Sequence, residues 1–308
     1  MVVGLLPRHS TQSEPLTTMT LAPPRHADPA QRAARVTSPP RRRRRSFGSR
    51  MVGWFGEILI TLGVLGLLFV VWELWWTGIE AESDRQDSLN EFYAGMPDRA
   101  EPAGDGDDGG PSPVDFDVCY TLEDGTEIGC ADHMRSQTGS EDIMGTVYAP
   151  RLGDQWAAPI RHGTSAAQID RGGVGHYTET QWPDEPGNFA LAGHRNTNAS
   201  MLGNQDNLQI GDPIYVVSYD GIYIYEVQER QVVLPSQAEV LSAVPSDPEA
   251  EAEFGVLTFT TCHPLYSNRE RLIHHAEIVD FVPLGGEAPE ELVHHEPISE
   301  MFYARGAD

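Results

Sequence analysis

The chain has 308 residues and a formal net charge of −25, and all 21 of its basic side chains are arginine. Ten of those arginines lie in residues 1–50 against two acids, Glu14 and Asp28, which leaves the remainder at −33. A body so acidic repels phosphate backbones and excludes nucleic acid as its partner.

Residues 1–50, rich in Pro, Arg, Ser and Thr, read as a disordered cytoplasmic tail. Residues 53–76 follow as one apolar run, with Glu57 and Glu73 near its ends and Trp54, Trp72, Trp75 and Trp76 placed as an aromatic belt. The run is long enough as a helix to cross a hydrocarbon core of about 30 Å. The arginines of 41-RRRRRS-46 predict a cytoplasmic N-terminus and an exported C-terminal body. A cleaved signal peptide would have a shorter apolar stretch and a small-residue cleavage site, whereas 77-TGIEAESD-84 is acidic, so a signal anchor in the cell membrane is expected. A start at Met51 would delete the basic flank and weaken this orientation argument.

Residues 77–140 read as a juxtamembrane and linker region, helical over roughly 80–95 and then acidic through 97-PDRAEPAGDGDDGGPSP-113. The acidic run lacks the residue order of an EF-hand loop and is taken as solvated spacer. From 141 to 284 the pattern becomes short β-branched and aromatic runs separated by Gly, Pro, Asn and Asp. Strands are predicted at 143–149, 156–162, 188–194, 213–219, 222–233, 256–262 and 271–281, with short helices near 164–170 and 236–243. The turn 219-YDG-221 joins two tyrosine-rich strands as a hairpin, and the whole reads as a mainly β, closed or nearly closed structure. Residues 285–308 show little apolar periodicity and read as an acidic tail.

Three cysteines are present, all on the predicted extracytoplasmic side, where disulfides persist. Cys119 and Cys130 flank a central Asp-Gly that would turn the chain back on itself; pairing them leaves Cys262 as the odd thiol. The rival reading makes Cys119, Cys130 and His133 metal ligands, although no fourth ligand is evident.

Side chains alternate along a strand, so in 256-VLTFTTC-262 Leu257, Phe259 and Thr261 share one face while Cys262 joins Thr258 and Thr260 on the more polar one. A buried structural cysteine would more naturally join Leu257 and Phe259. Among eleven histidines, His194 stands out because the apolar strand of 188-NFALAGHRN-196 runs out at Gly193 and presents it at a strand end. An ordinary thiol titrates near about 8.5 and needs an imidazole or cation beside it to become a nucleophile at neutral pH. Acyl transfer also needs a fixed donor for the developing oxyanion, which arginine supplies. Arg269 and Arg271 share strand parity; Arg271 directly precedes Leu272-Ile273 and should be held by the sheet, whereas Arg269 sits in the loop.

With Ala-Gly-His-Arg at 192–195, Thr-Thr-Cys at 260–262 and an arginine entering the last strand, residues 141–282 resemble the sortases, membrane-anchored cysteine transpeptidases, and within them the class E housekeeping type of actinobacteria. The resemblance implies an eight-stranded β-barrel with Cys262 as nucleophile, His194 as general acid/base and Arg271 as stabiliser of substrate and oxyanion, and it calls for no cofactor. It further implies attack on the Thr-Gly bond of an LPXTG-like or LAXTG-like sorting signal on a secreted protein, with a cell-wall amine from a peptidoglycan precursor resolving the thioacyl-enzyme. Supporting candidates are Thr261 beside the thiol, His263 where the family commonly has threonine, Arg269, and His176, read mainly as fixing a loop through hydrogen bonds. Two alternatives stay open: a Cys-His peptidase that ends in water, and a non-catalytic acidic envelope module in which Cys262 is merely buried.

Overall fold

The computed structural model describes residues 47–96, 115–139 and 142–304. Most of the predicted N-terminal tail and the acidic spacer 97–113 lie outside the described residues. Among the described residues the chain divides into two units between Leu59 and Ile60. Helix α1 (Phe47–Ala94) is free of proline and ends just before Gly95 and Pro97. Its stretch Arg50–Trp72 has a mean hydropathy of 2.2 and is unburied throughout, long and apolar enough to cross a membrane.

In the second unit, eight strands close into a barrel in the order β10-β8-β7-β3-β4-β5-β6-β9. They are β3 (Gly145–Tyr148), β4 (Ala157–His162), β5 (Val174–His176), β6 (Gly187–Ala192), β7 (Pro213–Val217), β8 (Gly221–Val233), β9 (Gly255–His263) and β10 (Glu270–Pro283). All neighbours run antiparallel except β4 with β5 and β6 with β9. Alternation does the sorting: Phe189 and Leu191, Ile214 and Val216, Tyr223, Tyr225 and Val227, and Leu257 and Phe259 all join the central core. The mainly β, closed fold expected from sequence is borne out, including the predicted short helix at Ala166–Ile169 (α3) and a 3-10 turn at Ala238–Leu241.

Two boundaries need correction. Residues 115–139, read as linker, form a hairpin of β1 (Val118–Thr121) and β2 (Glu127–Gly129) followed by α2 (Asp132–Ser136), and they add Ile128, Ala131 and Met134 to the barrel core. Two buried connections hold this piece: Ala131 N–H donates to the Asp184 carboxylate at 2.8 Å, and the Tyr223 hydroxyl donates to Gly129 O at 3.1 Å. Cys119 and Cys130 are disulfide-bonded. The metal reading fails on the same geometry, because both sulfurs are spent on each other and the His133 ring stacks on Tyr219 at 4.2 Å.

The stretch from 285, read as an acidic tail, instead carries β11 (Glu287–Ala288), α4 (Glu296–Met301) and β12 (Tyr303–Ala304). Leu292, Ile298, Met301 and Phe302 form a second core with Phe92 and Met96 at the end of α1 and with Tyr148, Tyr215, Val217 and Ile222 on the outer wall of the barrel. Arg85 ties α1 to that wall by donating to Ala157 O at 3.0 Å, as does Arg161 by donating to the Ser88 hydroxyl at 2.5 Å. Truncating Phe302 to Ala should therefore cost about 3–5 kcal/mol in chemical denaturation, as for a buried aromatic, where a solvated tail would cost nothing measurable.

Candidate active site

β6 and β9 run parallel with Ala192 opposite Thr260, and the last ladder bond goes from Gly193 N–H to Thr260 O at 3.1 Å. Beyond it β6 leaves the sheet while β9 continues to His263, so His194 emerges beside the end of the strand that carries Cys262. Thr261, on the opposite face of β9 from Cys262, clamps the two strand ends by donating its hydroxyl to Gly193 O at 2.7 Å. Its contact is with the backbone that presents His194, which gives the sequence candidate a structural role. Gly193 is needed for close approach: a Cβ there would lie 2.9 Å from Leu202 Cγ and 3.2 Å from Val174.

On the other side β10 pairs antiparallel with β9 and places Arg271 directly opposite Cys262, with Glu270 opposite His263. The guanidinium of Arg271 is held at the loop mouth, donating to Asn268 O at 3.1 Å and Glu270 O at 2.9 Å. Arg269 lies before the first residue of β10, outside the ladder. The barrel thus brings Cys262, His194 and Arg271 to one end and leaves Arg269 in the loop, in keeping with the apolar Leu272-Ile273 that follows Arg271. Cys262 is partly exposed and is the free cysteine among the described residues.

His194 Nε2 meets Asp170 Oδ1 at 2.6 Å, at the end of α3. Nothing in the sequence marks Asp170, which lies 24 residues away from its partner. The polar face of β9 below the thiol is fully engaged: Thr260 meets the Tyr177 hydroxyl at 3.0 Å, and Thr258 bonds Asn188 at 2.6 Å and His275 Nδ1 at 2.7 Å. Asn188 in turn donates to Val240 O and Ser242 O at 3.1 Å each, which pins the loop after β8 over this face.

His176 does not join the group. It is fully buried, with Nε2 on Gln181 O at 3.1 Å and on the Thr180 hydroxyl at 3.2 Å, and its ring packs on Trp182 and Phe189. Desolvation lowers its pKa to about 4, so it is a neutral loop anchor. His263 is beside the thiol in sequence, yet its Nδ1 is taken by Arg195 Nη1 at 2.7 Å. Its pKa is lowered by desolvation and then by the Arg195 charge. An imidazole so engaged is a poor competitor for the role of base. Arg195, visible in the sequence only as the residue after His194, joins Asp170 as a neighbour of the site that the sequence does not single out.

A partly exposed thiol near the end of a barrel strand, with His194 just past the end of one neighbouring strand and Arg271 opposite it on the other, offers the residue types that cysteine acyl transfer requires. The sortase-domain family model matches residues 147–279. The chain is 30% identical to sortase SrtE2 of Streptomyces coelicolor over 266 residues, covering 82% of this chain and 92% of that protein. The chain belongs to the sortase family. It is also 32% identical to sortase SrtE1 of the same organism, over 77% of this chain, and the match spans 60% of that protein's length. A solved structure of sortase E from Streptomyces avermitilis aligns at 32% identity over 46% of this chain and 90% of that chain, with a TM-score of 0.42. The class E likeness read from the motifs is borne out by the two Streptomyces coelicolor proteins.

Proposed function

We propose that this chain is a membrane-anchored sortase that joins secreted proteins to a cell-wall amine. The observation that carries this is the register: one sheet edge sets His194 at the exit of β6, Cys262 on β9 and Arg271 opposite it on β10. The Cys262 thiolate attacks the carbonyl carbon of the Thr-Gly bond in an LPXTG-like or LAXTG-like sorting signal. Arg271 and local N–H donors stabilise the oxyanion, and protonated His194 gives its proton to the departing glycine amine. An amine of a peptidoglycan precursor then attacks the thioester, His194 takes its proton, and the thiolate is released. The span at Arg50–Trp72 serves as signal anchor, with the arginine-rich N-terminus cytoplasmic and the catalytic domain outside the cell.

The test is incubation of the full chain in detergent with LPXTG and LAXTG peptides, with and without a glycine-based amine. The amide product, identified by mass, is the expected result when amine is present. Hydrolysed peptide as the sole product at saturating amine would reassign the chain to the peptidases. Absence of any cleavage, with no thioester on Cys262, would support a non-catalytic envelope module.

A further inference from the structure

We propose that Arg195 is a positioning residue for the Cys262 thiol, standing in for the β6 backbone at the point where that strand has left the sheet. The inference rests on the reading of Cys262 as the nucleophile. β9 outruns its parallel partner: Thr260 O is the last carbonyl to receive a β6 N–H, from Gly193. Two residues on, the carbonyl of Cys262 points the same way and finds no β6 backbone. Arg195 Nη1 occupies that place and donates to Cys262 O at 3.2 Å and to His263 Nδ1 at 2.7 Å. A single guanidinium nitrogen therefore ties down both the nucleophile's backbone and the side chain that follows it.

The fork is itself fixed from behind. Arg195 Nη2 pairs with Asp206 Oδ2, and the other oxygen of Asp206 is held by Arg230 Nη2 from β8 at 2.9 Å. Arg195 is 4% exposed. Burying a guanidinium costs several kcal/mol even when paired, and an apolar side chain of similar volume would usually stabilise the fold as well or better. What an apolar side chain could not supply is a donor to the carbonyl of Cys262. A free strand end would let the thiol wander from the attack geometry, and a misplacement of about 1 Å is worth on the order of 100-fold in rate. His263 takes a defined part here: its neutral ring accepts from Arg195, a service that threonine's smaller side chain would deliver from a different distance.

The experiment uses the full chain in detergent, with three variants and two readouts at one fixed pH: the iodoacetamide alkylation rate of Cys262, and kcat and KM for peptide transfer. Arg195→Gln should lower both alkylation and kcat by about 10- to 100-fold while KM moves less than threefold. His263→Leu, which removes the second acceptor, should lose about 5- to 10-fold. His263→Asn, whose Oδ1 lies near the position of Nδ1, should recover most of that loss. A folded Arg195→Gln with alkylation and kcat within twofold of wild type would overturn the proposal. So would equal losses for His263→Leu and His263→Asn, and that pair decides the matter if Arg195→Gln does not fold. Should wild type alkylate but transfer nothing, the transpeptidase reading fails, while the alkylation ratios still judge Arg195.

Discussion

Cys262→Ala should abolish sorting-peptide cleavage, a loss of at least about 10⁴-fold in kcat, with the fold unchanged. No other described cysteine can take over, because Cys119 and Cys130 are bonded to each other on the β1–β2 hairpin. His194→Ala should cost on the order of 10³-fold, since on the proposed mechanism the leaving amine takes its proton from that ring and the acceptor amine returns one to it. Arg271→Ala should cost about 10²-fold, the scale for loss of one oxyanion donor, while Arg269→Ala should cost less than threefold. The contrast between the two arginines is the sharper half of the experiment. They are two residues apart with the same charge and parity, and only Arg271 lies in the ladder opposite Cys262. Steady-state kinetics on the four variants, with circular dichroism to verify folding, checks it; equal losses at 269 and 271 would mean that the charge of the loop, rather than the register, governs the reaction.

Why these residues were legible in the sequence, and others not, follows from where their information lies. Cys262 and Arg271 sit on long strands: alternation declared the face of Cys262, and the apolar Leu272-Ile273 after Arg271 marked it as the arginine held by the sheet. β5 went unread because Val174-Gly175-His176 is three residues long and carries a glycine; its strand identity comes from pairing with β4 and β6, which local sequence does not contain. The acidic surroundings of 115–139 disguised Ile128, Ala131 and Met134, whose burial is decided by Asp184 and Asp220 from distant loops, the latter accepting from His133 and Met134 N–H at 2.9 and 3.0 Å. The C-terminal stretch was misread for a related reason: α4 has six residues, too few for a 3.6-residue period to show among so many acids. Arg195 was the hardest case. Its contact with Cys262 O depends on β6 ending three residues before β9 does, a fact of register between strands far apart in the chain.

The chain should lose stability steeply as the pH falls from about 6.5 to about 4, because it buries neutral histidines. His176, His274 and His275 are each 4% exposed or less, and desolvation holds each with a pKa of about 4. The unfolded chain returns them to their ordinary value near 6.5. Within that window the unfolded state binds protons that the folded state refuses, so folding stability is complete above the unfolded pKa and drains away down to the folded one. Each group contributes on the order of 3 kcal/mol over the interval, and three such groups approach the 5–15 kcal/mol that a typical domain possesses. Urea denaturation between pH 7.5 and 4.5 should show a maximal slope of about 4 kcal/mol per pH unit, the mark of three protons. Burial is the main reason the protons are refused. His275 Nδ1 faces the Thr258 hydroxyl and its Nε2 faces Gln231 at 2.9 Å, while His274 Nδ1 meets Gln205 Nε2 at 3.0 Å; the Asp212 carboxylate pulls the His274 pKa upward, and desolvation outweighs it. His275→Gln, neutral at every pH, should reduce the slope by one proton, about 1.4 kcal/mol per pH unit, even if it lowers the stability at neutral pH. An unchanged slope in that variant, or a wild-type stability that is flat to pH 4.5, would show that these histidines reach protons without unfolding.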